Sequence, residues 1–291
     1  MTATMVFIHG RGQEGKDPHA LTGEWCTALT AGLAQAGHGP LDYSDVRFPF
    51  YGDELFRITA ELARRGEPIE LESMVTNPQE VPLHPLVTTD VGQMERQLMA
   101  DLVAARPRVV EESLIDHLEQ VALSWRGTRI ALQSLAEYTG VDREVIKAHL
   151  RDVAVYLTRG RDRVLDIVRQ AVPADGDIVL VSHSLGTVVA RDLLDDEDVR
   201  RRTRLWVTAG APLALPAVQK NLRTPGAINP GVPWTTTYDV HDIVALGHPL
   251  HPTWGDPLSD VLVDNGDAPH SISRYLGHGD VASPVHDAVN G

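Results

Sequence analysis

The feature that most constrains this chain is the run Asp177-Ile-Val-Leu-Val-Ser182, which passes through His183-Ser184-Leu185-Gly186 directly into helical spacing. Four consecutive apolar, mostly β-branched residues with no polar alternation suit a strand covered on both faces, as in a parallel sheet. Ser182-His183-Ser184-Leu185-Gly186 has the form small-x-Ser-x-Gly, and a tight strand-to-helix turn requires small residues two before and two after its centre. A helix beginning behind Ser184 would direct its first amides toward negative charge developing there. The same serine would also serve as an ordinary N-cap for the helix expected over 186–194.

Similar units surround this one. Met5-Val-Phe-Ile8 reads as a buried strand ending at His9-Gly10-Arg11-Gly12, followed by a helix over 22–36 that stops at Gly37. Val46 to Tyr51 reads as a short strand weakened by Pro49. Further strands are expected at 205–209, 234–238 and 261–263, with a helix over 162–172. The count is about six strands in an α/β order, giving a mostly parallel sheet flanked by helices. Between them, residues 93–105, 109–125 and 143–158 carry apolar residues at helical spacing. Pro68, Pro78, Pro82 and Pro85 mark an irregular stretch. Residues 1–291 are therefore expected as one domain, with 54–160 as a mostly helical insertion or cap. Met94, Leu98, Leu102 and Trp125 either line a pocket or pack helix against core.

Composition removes several classes. The 291 residues hold one cysteine, Cys26, so no intramolecular disulfide scaffold exists. A formal charge of −14 repels phosphate backbones, and no nucleic-acid partner is expected. The N-terminus lacks a positive leader region and no stretch approaches the roughly 20 apolar residues of a membrane span, so a cytoplasmic protein without a membrane span is expected. His241, Asp242, His248 and His251 could suggest metal ligands, but Pro249 and Pro252 disfavour a helix there and no cysteine supports a zinc site. Neither a metal nor another cofactor is expected, and Gly10-Arg11-Gly12 lacks the setting of a dinucleotide fingerprint.

Taken together, Val6-Phe-Ile-His9-Gly10-Arg11-Gly12, the Ser184 turn, Thr208-Ala-Gly210-Ala-Pro212 and a C-terminal acid-then-histidine pair resemble the α/β-hydrolases, close to the lipase/esterase-type serine hydrolases. The resemblance covers about residues 1–55 and 160–291. Ser182 departs from the glycine usual at that position. It implies a nucleophilic Ser184 and an oxyanion hole made by the backbone N–H groups of Arg11 and Leu185. It also implies the chain order serine, acid, histidine. His9, His19, His38, His84, His117 and His149 precede Ser184 and fail that order, while the turn directs His183 away. His270 follows the last expected strand, where the family's base lies, with His278 as the alternative. For the acid, residues 205–220 contain no Asp or Glu, which leaves Asp242, or Asp239 three residues earlier.

The resemblance therefore implies a serine hydrolase cleaving an ester, thioester or related acyl bond of a small-molecule or peptide substrate. The same triad would serve an acyltransferase or a peptidase/amidase. A non-catalytic binding protein of this fold, using the helical insertion as a surface for a protein partner, is the alternative of another class.

Overall fold

The computed structural model describes residues 2–65, 89–105, 135–137 and 141–291. Its centre is a five-stranded, all-parallel sheet in the spatial order β1 (Thr4–Ile8), β2 (Ile178–His183), β3 (Thr203–Ala209), β4 (Trp234–Tyr238) and β5 (Leu258–Leu262). Strands adjacent in the chain are adjacent in space, so the loops leaving their C-terminal ends form one continuous row.

Alternation along each strand divides the core in two. Met5, Phe7, Val179, Val181, Leu205 and Val207 face one side. There they meet α1 (Pro18–Gln35), α10 (Ile272–Leu276) and α11 (Gly279–Asn290). Val6, Ile8, Ile178, Leu180, Trp206 and Trp234 face the other. On that side lie α2 (Gly52–Arg64), α3 (Asp90–Ala104), α4 (Arg143–Val155), α5 (Arg161–Ala171) and α6 (Leu185–Leu193). Burial on both faces is why the strand sequences read as nearly continuous apolar runs. The shorter helices α7 (Glu197–Arg202), α8 (Pro216–Lys220) and α9 (His251–Trp254) complete the connections.

The sheet of about six strands is corrected to five among the described residues. The segment over 46–51 makes a single parallel bridge, Val6 to Arg47, and runs no further as a strand. Pro49 has no N–H to donate, and Phe48, Phe50 and Tyr51 instead close over the His9 ring. The helix expected over 109–125, Trp125 and the four prolines from Pro68 to Pro85 lie outside the described residues. The helix expected over 143–158 is α-helical to Val155 and continues as one π turn, Tyr156–Gly160. No helix among the described residues is long and apolar enough to cross a membrane.

Candidate functional site

Ser184 occupies the turn between β2 and α6 with φ 56° and ψ −129°. Among the described residues it is the one non-glycine with positive φ, a conformation that costs an L-residue on the order of 1–3 kcal/mol. Its surroundings hold it there. Its N–H donates to the Ala209 carbonyl at 3.0 Å, and its own carbonyl accepts from the Thr187 N–H at 2.9 Å and hydroxyl at 2.7 Å. Ser182 is fully buried and satisfied, donating to the Val207 carbonyl at 3.0 Å and accepting from the Trp206 indole at 2.9 Å. Two residues past the turn, a Cβ on Gly186 would run into the backbone carbonyls of Ile8 and His9. Glycine there lets α6 cross directly over the end of β1.

That crossing lays the His9–Gly12 loop against the serine, with Gly10 packed on the Ser184 side chain. His9 fixes the loop from inside the core. Its Nε2 accepts from the Tyr51 N–H at 3.1 Å, so Nδ1 carries the proton and donates to the Gly10 carbonyl at 2.6 Å. Burial pushes its pKa down to about 4, keeping the ring neutral between Tyr51 and Phe48. Arg11, next in line, is held by its guanidinium Nε to Asp152 of α4 at 2.7 Å. Leu185 is the first residue of α6, so its amide has no acceptor within the helix.

Beyond β4, Asp242 is buried and collects three donors. His270 Nδ1 lies 2.8 Å and the Tyr275 hydroxyl 2.8 Å from Oδ2, and the Val244 N–H lies 2.9 Å from Oδ1. Burial alone would raise this carboxyl, but the adjacent imidazole and the three hydrogen bonds hold it below its usual value. Gly210, at φ 56°, ends β3 directly behind the pair; a Cβ there would stand 2.7 Å from Asp242 Oδ2 and 3.0 Å from His270 Nδ1.

Asp239 is placed differently. It accepts from the Asn265 N–H at 2.6 Å and the His241 N–H at 2.7 Å, tying its own loop to the one that carries His270. His278 Nε2 lies 3.1 Å from Asn265 Oδ1, and His241, His248 and His251 engage separate partners. Within reach of a common metal ion, among the described residues, stand His38, His286 and Asp287, which join the end of α1 to α11.

The structure therefore brings Ser184, Arg11, Leu185, Asp242 and His270 to the same end of the sheet. The Ser184–His270 hydrogen bond is not formed. The side-chain partner of Ser184 Oγ is instead His149 Nε2 of α4, at 3.4 Å. The His149 ring also meets His270 edge-on, with centroids 5.4 Å apart. Burial, with the neighbouring His270, Arg11 and His183, keeps His149 well below the usual histidine range, so it is neutral. The expected chain order passes over His149 because it precedes the serine. Its one sequence signal is its place in an otherwise amphipathic helix, beside Ile146, Leu150 and Val153.

His183 also has a structural partner that its sequence position did not reveal. Its Nε2 lies 3.0 Å from the His270 carbonyl, and its pKa falls to about 3 through burial. A neutral His183 thus donates to the backbone of the His270 loop.

Comparison with protein-family models, curated proteins and solved structures finds no match for this chain.

Proposed function

We propose that the chain is a serine hydrolase of α/β-hydrolase type that cleaves an ester, thioester or related acyl bond. The observation that carries this reading is Ser184 itself, a serine held at positive φ on a strand-to-helix turn, at the same end of the sheet as a half-buried histidine bonded to a buried carboxylate. A backbone under that cost needs a reason, and presenting a nucleophile above the sheet supplies one.

Ser184 Oγ attacks the acyl carbon as its proton passes to His270 Nε2. Asp242, bonded to Nδ1, sets the tautomer and stabilises the imidazolium. The carbonyl oxygen takes up the negative charge facing the Arg11 and Leu185 amides. Collapse breaks the bond to the leaving group, which receives the proton from His270. Water then repeats the sequence on the acyl-enzyme, releasing the acid and restoring Ser184. Catalytic hydrogen bonds are often open before substrate binds, and here Oγ turns from His149 to His270 as the site fills. Within the segment expected as a cap, α4 stands over this machinery through His149.

Intact mass after treatment with a small fluorophosphonate tests the reading. One adduct on the wild-type protein, lost in Ser184→Ala and in His270→Ala, is expected. A folded wild type that takes no label overturns it.

A further inference from the structure

Where α1 stops, two histidines and a carboxylate from opposite ends of the chain come together. The helix ends on a Schellman turn. Gly37, at φ 80°, donates its N–H to the Ala34 carbonyl at 3.1 Å, and the His38 N–H returns to the Leu33 carbonyl at 2.9 Å. That fixes the backbone at His38. The end of α1 lies tight against α10 and α11. A Cβ on Gly32 would strike the Leu276 carbonyl and the Ala282 methyl group, and the Gly279 N–H donates to Gln35 Oε1 at 2.6 Å.

α11 consequently brings its side chains onto His38. Ser283 Oγ lies 2.8 Å from His38 Nε2, and the His286 ring stacks on the His38 ring with centroids 4.1 Å and planes 22° apart. Asp287 Oδ1 stands 3.2 Å from His286 Nδ1. One ligand atom from each of His38, His286 and Asp287 lies within 4.8 Å of the other two. None of the three belongs to the Ser184 site.

We propose that His38, His286 and Asp287 bind a zinc-type divalent ion that staples the end of α1 to α11. The donor set selects the ion. Two imidazole nitrogens and one carboxylate oxygen suit zinc, whereas magnesium and calcium take oxygen ligands. Ligands about 2 Å from a tetrahedral ion stand about 3.3 Å from one another, so the His286–Asp287 pair already has the length of one edge. His38 supplies the third ligand from the facing element. Water completes the four, because the His286 and Asp287 side chains reach solvent at 26% and 72% exposure. The two rings lie nearly parallel, with their in-plane lone pairs side by side, so one must turn for both to meet the ion. His286, at the solvent edge, has the room to do so. Such a staple needs no hydrolase activity and stands or falls apart from it.

The test uses untagged full-length protein, stripped with EDTA and dialysed against zinc chloride at about pH 7.5. One retained equivalent is expected. With free zinc at about a hundredfold over its Kd, Tm rises by about 5 °C, and EDTA reverses the rise. Magnesium and calcium chloride give no shift. His38→Ala, His286→Ala and Asp287→Asn each weaken zinc binding by more than the roughly tenfold lost with a group that only orients a ligand. Since none of the three residues is buried, the metal-free Tm of each variant stays within about 2 °C of wild type, which checks that it folds. His19→Ala, at the exposed start of α1, keeps full affinity.

A wild type that retains no zinc overturns the site. So does zinc binding that survives in both His38→Ala and His286→Ala, which would assign the ion to other histidines. Unchanged affinity in Asp287→Asn overturns the carboxylate as third ligand. Retention without a rise in Tm overturns the staple, and magnesium or calcium taking the place of zinc overturns the donor assignment.

Discussion

Tyr275 joins the two acidic positions of one loop through a single hydroxyl. It donates to Asp242 Oδ2 at 2.8 Å and accepts from the Asp239 N–H at 3.0 Å. Tyr275→Phe keeps the ring and removes both bonds. A stability loss of about 1–2 kcal/mol is expected in urea denaturation, with a several-fold drop in fluorophosphonate labelling rate because Asp242 holds His270 less firmly. Unchanged labelling would mean that the Val244 amide and His270 fix the carboxylate by themselves. At this scale the sequence speaks clearly where a backbone rule operates. Ser184 is flagged by the small residues around it, and the acid-free stretch over 205–220 narrows the search for a carboxylate. Tyr275, His183 and His149 are silent in the sequence because the contacts described for them join residues 33 to 121 positions apart, and no local pattern records them.

The crossing of α6 over β1 sets the spacing between the Ser184 turn and the Gly10 loop. A methyl group at position 186 has no flexible side chain to push aside, since the atoms it meets are the main-chain carbonyls of Ile8 and His9. Gly186→Ala is therefore expected to cost about 2–3 kcal/mol, read as a lower urea midpoint at constant m-value. It should also slow labelling of Ser184. A stability within 0.5 kcal/mol of wild type, roughly the scale of neutral surface changes, would show that helix and strand slide apart freely. The elements themselves were legible where burial is two-sided, and β2 and β4 announce themselves as short runs bounded by turn residues. The segment over 46–51 misled because aromatic residues raise strand propensity wherever they stand. Here their rings are used against His9 while the backbone leaves the sheet after one bridge. α3 and α4 were visible as amphipathic spacing, but which apolar face would border the serine depends on tertiary packing.

Across the whole molecule, burial of imidazoles couples stability to acid. His9 and His183 have pKa values lowered to about 4 and about 3, and His149 lies well below its usual value, all primarily through burial. The unfolded chain binds these protons near pH 6.5 and the folded chain does not. Their stabilising contribution is thus complete above about pH 6.5 and is lost as pH falls through the folded values. For His9 alone this is on the order of 3 kcal/mol by pH 4. Urea midpoints measured between pH 7.5 and pH 4 should drop steeply below pH 6.5, with net proton uptake on unfolding; a flat profile would mean that the three rings are protonated in place. Another property of the whole molecule concerns connectivity. The Ala3 N–H donates to the Val289 carbonyl at 3.1 Å, in line with the packing of α11 against α1. Residues 3 and 289 are thus neighbours, and a short tether would convert the polypeptide into a ring that can be reopened at the exposed Gly39–Pro40 link. In that permuted chain β1 would be the last strand translated, followed by α1, yet would still dock at the edge of the sheet beside β2. His9, Gly10 and Arg11 would then follow His270 in the sequence. The order of the site residues along the polypeptide is an accident of where the ring is cut, and only their adjacency in space has chemical meaning.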